Sequence, residues 1–121
     1  MGRRPFDFYP TPAWATRVLL QHVNVFGLVY EPCVGAGDIL DVLKADKRID
    51  RWRSNDIDGT RTADLHRDAR SDLAWIGSSD WVVSNPPFSD AMEIVYRAHR
   101  HARTGVAMLL RLSFLEPTEA R

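Results

Sequence analysis

Apolar residues fall along this chain in short runs separated by turn-forming residues, and their spacing alternates between that of a strand and that of a helix. After an opening that contains Pro5 and Pro10, Thr11-Pro12 reads as a helix start, because Thr can cap and Pro suits the first helical position. Trp14, Val18, Leu19 and His22 follow at helical spacing to about Val23. Leu28 to Glu31 predicts a short strand, Pro32 to Gly37 a glycine-bearing loop, and Asp38 a cap for a helix carrying Ile39, Leu40, Val42 and Leu43. Trp52 to Asp56 predicts a second strand. A weak third lies around Thr62 to Leu65, followed by one or two helical turns over 71–77. Asp80 to Ser84 predicts a fourth strand. Ser89 or Asp90 then caps a helix to about Ala102, with Met92, Val95, Tyr96 and His99 on one face. Gly105 ends that helix, Val106 to Phe114 predicts a fifth strand, and Glu116 to Glu119 opens another helix. Strands alternating with helices predict an α/β fold, a mostly parallel and doubly wound sheet covered on both faces.

In such sheets ligands bind beyond the carboxyl ends of the strands, where the strand order reverses. Two candidate sites follow strands and belong to that edge. The first is Asn85-Pro86-Pro87-Phe88, directly after the apolar run Trp81-Val82-Val83. Two prolines cannot continue a strand, since each lacks a backbone donor and fixes its own φ. The turn therefore holds an amide side chain, a carbonyl and an aromatic ring together. An aromatic exocyclic amine is a poor nucleophile because its lone pair is delocalised into the ring. The Asn85 side-chain oxygen and the Pro86 carbonyl can accept its hydrogens and direct the lone pair outward, while Phe88 stacks on the base.

The second candidate is the loop bearing Gly35 and Gly37, where the backbone must bend sharply and approach a ligand closely. A dinucleotide fingerprint would need a third glycine where Leu40 stands, which disfavours a nicotinamide cofactor. Glu31 ends the preceding strand and can pair with a cationic ligand amine. Asp56 and Asp58 follow Gly37 at the distance of a ribose-binding acid, and Asp56 is preferred because it ends its strand. Asp68, ahead of Asp64, is the candidate acceptor for an adenine amino group.

Composition narrows the reading only a little. The 121 residues, 45% apolar and 26% charged, describe one small globular domain over 1–121. The formal net charge is zero, but between Glu93 and Glu116 there are four arginines (Arg97, Arg100, Arg103, Arg111) and no acid, a surface suited to a phosphate backbone. Cys33 is the only cysteine, so no internal disulfide forms, and no metal-ligand spacing is visible. The N-terminus lacks a signal-peptide core and no apolar run is long enough to span a bilayer, which points to a soluble, cytoplasmic protein without a membrane partner.

Together these residues resemble the amino-methyltransferases that use S-adenosylmethionine, most closely the adenine-N6 DNA methyltransferases. Glu31-Pro32-Cys33-Val34-Gly35-Ala36-Gly37 is similar to the family's acidic residue and glycine loop, with Cys33 where many members have Gly or Ala. Asn85-Pro86-Pro87-Phe88 matches its catalytic motif, and Asp7-Phe8-Tyr9-Pro10-Thr11-Pro12 looks like its N-terminal motif. The resemblance implies a Rossmann-like class I methyltransferase fold with about five of the usual seven strands present, and a domain incomplete at its C-terminal side. It implies cofactor contacts from Phe8, Tyr9, Thr11, Glu31, Cys33, Gly35, Gly37, Asp56, Asp68 and Asn85, and catalysis by Asn85, Pro86, Pro87 and Phe88. The motif order is similar to the gamma arrangement, in which a target-recognition region follows the catalytic domain.

The implied activity is methyl transfer to the exocyclic amine of adenine in DNA. The same turn also serves enzymes that methylate RNA bases or the side-chain amide of protein glutamine, and all three substrates present a planar conjugated amine. A non-catalytic fragment that binds cofactor or a partner chain is a different class of answer. The run Val106 to Leu112 is apolar on both faces and is expected to form a sheet edge through which copies of the chain associate.

Overall fold

A computed structural model describes residues 10–110. Four strands form one all-parallel sheet: β1 (Gly27–Glu31), β2 (Ile49–Ser54), β3 (Ser79–Ser84) and β4 (Ala102–Met108), in the order β2-β1-β3-β4. The chain moves outward from β1 to β2, then crosses to β3 and outward again to β4. The strand order therefore reverses between β1 and β3. The loop after β1 and the Pro-Pro turn after β3 flank that reversal, as the pattern of strands and helices implied.

The two faces of the sheet carry separate cores because side chains alternate along each strand. Val29 and Val83 point into the larger one with Leu20, Val25, Ile39, Leu40, Leu43 and Ile49. Tyr30 and Val82 point into the other with Ala98, Val106 and Met108. Helices α1 (Ala13–His22) and α2 (Asp38–Lys44) supply the first core, and α3 (Ala91–His101) the second. β1 is buried along its whole length, as a central strand should be, whereas Asp50 to Arg53 of β2 are exposed on a sheet edge.

Several expectations shift in register. The stretch 62–65 forms no strand; it makes a single bridge, Leu65 to Asn55, because Asp64 turns its carboxylate back to the Ser54 backbone N–H. Four of the five expected strands thus occur among the described residues. The helix before β4 stops at His101, and β4 begins at Ala102, so Gly105 lies within the strand and ends nothing. A glycine is required there by packing: a Cβ on Gly105 would meet the Trp81 ring at 2.5 Å. The remainder of the expected strand to Phe114 and the helix at 116–119 lie outside the described residues.

The helix faces also differ from the sequence pattern. In α3 the buried positions are Ala91, Ile94 and Ala98, while Met92 and Tyr96 are exposed. In α1 Thr16 and Leu20 are buried and Trp14 and Val18 face outward. Three of these five buried positions are small residues, and large apolar residues of both helices are left exposed. The caps move too. Pro12 occupies the N-cap of α1 and Gly37 that of α2, and neither Thr11, Asp38 nor Asp90 forms a side-chain cap.

Candidate functional site

The cleft at the carboxyl ends of β1 and β3 is assembled from groups far apart in sequence. Glu31 is almost fully buried, and its Oε1 accepts hydrogen bonds from the Cys33 backbone N–H at 2.8 Å and from the Ser84 hydroxyl at 2.6 Å. One carboxyl oxygen thus ties the first residue of the glycine turn to the last residue of β3. The loop then bends through Gly35 (φ 56°) and Gly37 (φ 92°), both left-handed conformations that side chains with a Cβ adopt at a cost of about 1–2 kcal/mol.

Asp56 pins this loop from below. It is fully buried; Oδ2 accepts the Gly35 N–H at 2.8 Å and Oδ1 accepts the Asp58 N–H at 2.9 Å. Asn55, which the sequence did not single out, is the hub beside it. Its Nδ2 donates to the Pro32 and Arg67 carbonyls and its Oδ1 accepts the Arg67 N–H, all at 2.9 Å. Its backbone receives the Val34 N–H and donates to the Glu31 carbonyl. The only advance signal was an amide beside a strand end, too common a feature to identify it.

On the other side of the reversal, the Pro-Pro turn is held by its neighbours. Pro86 and Pro87 are buried, Phe88 is half-buried and begins a single 3-10 turn (Phe88–Asp90), and the Asp90 N–H donates to the Pro87 carbonyl at 3.0 Å. The Leu109 N–H donates to the Ser84 carbonyl at 2.8 Å, which extends the β3–β4 pairing to the start of the turn. Asn85 Nδ2 donates to the Thr11 hydroxyl at 3.0 Å. Thr11 is buried, so the segment before α1 is drawn onto the turn. Phe8 and Tyr9 lie outside the described residues.

The remaining candidates are dispersed. Asp68 is chelated by Arg70 through Nε at 3.1 Å and Nη2 at 2.8 Å, and this pairing lowers its pKa. Asp64 caps the Ser54 N–H at 2.8 Å, and Asp58 accepts from the backbone and hydroxyl of Thr60. The arginine-rich stretch is partly neutralised: Arg97 faces Asp72 and Glu93, and Arg103 donates to Asp80 and Ser78. The net positive surface expected from sequence is correspondingly smaller, because acids from other segments fold against it. Arg111 is outside the described residues. No group of three metal-ligating side chains occurs among the described residues, and none of the described helices is long and apolar enough to cross a membrane.

Two features were not visible in the sequence. A groove of about 510 Å3 runs from the glycine loop along Leu40, Asp41 and Lys44 of α2 to Trp52 and the 60–64 segment, with the Lys44 ammonium 5.2 Å from the Trp52 ring centre. On the opposite face Trp75 meets Tyr30 and His101 edge to face at 5.2 and 5.3 Å, Tyr30 and His101 lie tilted at 5.4 Å, and the Tyr30 hydroxyl donates to the Ala74 carbonyl. Burial pushes the Tyr30 phenol up and the His101 imidazole down.

Solved structures with this arrangement include TrmN from Thermus thermophilus, at a TM-score of 0.60 and 19% identity, covering 86% of this chain. Another is the precorrin 8W decarboxylase from Methanobacterium thermoautotrophicum, at a TM-score of 0.63 and 14% identity, covering 89% of this chain and 67% of that one. The chain has a Rossmann-like α/β fold. It spans 39% of the length of TrmN. No family model and no curated protein matches the sequence.

Proposed function

We propose that this chain transfers a methyl group from S-adenosylmethionine to the exocyclic amine of a nucleobase, with adenine in DNA as the first candidate. The observation that carries the reading is the Asn85 amide, held in a rigid Pro-Pro turn across the strand-order reversal from a glycine loop whose backbone is left-handed at Gly35 and Gly37. The loop fits the cofactor, because those two glycines leave the backbone open to close approach. Glu31 sits at the base of the loop, and Cys33 forms its first turn. Asp56 as folded uses both oxygens inside the chain, so it reaches a ribose only by exchanging the Asp58 N–H for a hydroxyl. Asp68 similarly reaches an adenine amine only by rotating away from Arg70.

Bound there, S-adenosylmethionine would supply a methyl group already activated on a sulfonium, which would be left as a neutral thioether while the amine gives up one N–H proton to solvent. What the protein contributes is alignment, which in favourable cases replaces several kcal/mol of orientational entropy. Asn85 and the Pro86 carbonyl accept the two amine hydrogens, and Phe88 stacks on the ring. A base in a duplex must first be extruded to reach such a turn. RNA bases are the second reading, because they present the same planar conjugated amine to the turn.

The test is incorporation of labelled methyl groups into DNA, RNA and protein by the purified chain. Asn85→Ala is expected to abolish incorporation while S-adenosylhomocysteine affinity stays within about two-fold. Near-normal turnover by Asn85→Ala on every substrate would overturn the reading, as would tight NAD binding without cofactor binding in calorimetry.

A further inference from the structure

Asp68 and Arg70 belong to a segment that is fixed at one end and bridged at the other. Asn55 ties Arg67 and the Pro32 carbonyl together through three bonds of 2.9 Å, which seats the segment against the start of the glycine loop. From there the Arg70 guanidinium reaches two carboxylates. Its Nε and Nη2 donate to Asp68 at 3.1 and 2.8 Å. Its Nη1 lies 3.7 Å from Asp90 Oδ1, too far for a hydrogen bond but close enough for charge attraction. Asp90 ends the 3-10 turn that begins at Phe88, and its backbone N–H donates to the Pro87 carbonyl. One cation therefore stands between the proposed adenine acceptor and the Pro-Pro turn.

We propose that Arg70 is a positioning residue that passes from Asp68 to Asp90 when a cofactor's adenine amine takes its place, and so ties the Pro-Pro turn to an occupied cofactor loop. This rests on the methyl-transfer reading above and deepens it. A ligand shifts an equilibrium only through contacts that differ between the two states. Here they differ, because the amine and the guanidinium compete for the same carboxylate oxygens. The exchange also has a place to end. Asp90 makes no side-chain cap to α3, and its present contact with Arg70 is loose, so its carboxylate has room for a closer partner. Asp68, Arg70 and Asp90 are all partly exposed, so the guanidinium swings through water and no buried charge is stranded. Arg97 is not a rival for either acid, being engaged by Asp72 and Glu93.

The experiment is a four-variant cycle on the full chain: wild type, Arg70→Gln, Asp90→Asn and the double variant, with S-adenosylhomocysteine affinity measured by calorimetry. Arg70→Gln removes the competitor at Asp68 and is expected to tighten binding about three- to ten-fold. Asp90→Asn removes the acid that receives the displaced guanidinium. It is expected to weaken binding about three-fold when Arg70 is present, and by less than about two-fold in the Arg70→Gln background. An analogue with hydrogen in place of the adenine amine has nothing to offer Asp68, so its affinity should not respond to either substitution. Weaker or unchanged binding by Arg70→Gln, an equal effect of Asp90→Asn in both backgrounds, or the same response from the analogue would overturn the assignment. A wild-type chain that binds no S-adenosylhomocysteine would instead sink the methyl-transfer reading, and this proposal with it.

Discussion

Ser84→Ala removes the hydroxyl that joins β3 to Glu31, and the cost can be worked from the geometry. The bond is 2.6 Å long, Ser84 is fully buried and Glu31 is 1% exposed, so water cannot replace it. A buried hydrogen bond between neutral groups contributes about 0.5–1.5 kcal/mol, and one to a charged group about 1.5–3 kcal/mol. Oε1 keeps its bond from the Cys33 N–H, so the acceptor is not stripped of partners. That argues for the middle of the combined range, about 1.5–2 kcal/mol. For a chain of this size such a loss lowers the melting temperature by roughly 6–8 °C. Urea unfolding followed by tryptophan fluorescence should show a lower midpoint and an unchanged slope, since no extra surface is exposed. Trp81, packed against Gly105 within the sheet, serves as the reporter. A shift below about 0.5 kcal/mol, the usual range of a neutral surface change, would mean that the two strand ends are not tied and that Glu31 has another role.

Acidification should destabilise the fold through His101. Burial chiefly, with Arg53 and Arg103 adding to it, lowers the His101 pKa from 6.5, so the unfolded chain binds the proton more readily. That stability is present above about pH 6.5 and is lost as pH falls through the folded value. A urea midpoint that rises between pH 7.5 and 5.5 would refute this, and His101→Gln should flatten the dependence. We propose that copies of the chain associate through the edge of β4. The apparent mass in sedimentation should rise with concentration, and Thr104→Lys, at an exposed position of β4, should suppress it. A monomer at every concentration would remove that expectation.

The sheet was most legible at β1 and β3, short apolar runs beside glycine and proline, whereas β2, expected over 52–56, runs from Ile49 to Ser54 and is mostly polar. The failures have one physical origin. Sequence patterning registers large apolar side chains, but three of the five buried positions of α1 and α3 are the small residues Thr16, Ala91 and Ala98. Met92, Tyr96 and Trp14 then look like core and lie at the surface. Gly105 was misread for a related reason. A glycine between a helix and an apolar run suggests a terminator, but here it makes room for an indole one strand away, and no local signal records that neighbour.

The site divides along a similar line. Residue types that chemistry demands, namely Asn85, the two prolines and the glycine pair, were readable because few alternatives fit. The polar groups that hold them were not, because each is defined by its partner. Asp56 looked like a ligand acid from its distance to Gly37, and the same distance is what lets it bond the Gly35 N–H. Asn55 and Ser84 resemble ordinary strand ends until the sheet brings Pro32, Arg67 and Glu31 against them. Thr11 looked like a cap until Asn85, 74 residues away, takes its hydroxyl. A binding reading and a scaffolding reading of such residues predict the same amino acid at the same place. They differ in what happens when the bond is removed: a scaffold residue changes stability, whereas a positioning residue changes rate while the fold and the cofactor affinity hold. Ser84→Ala and Asn85→Ala therefore form a matched pair at adjacent positions, and the first should move the unfolding midpoint where the second should move transfer.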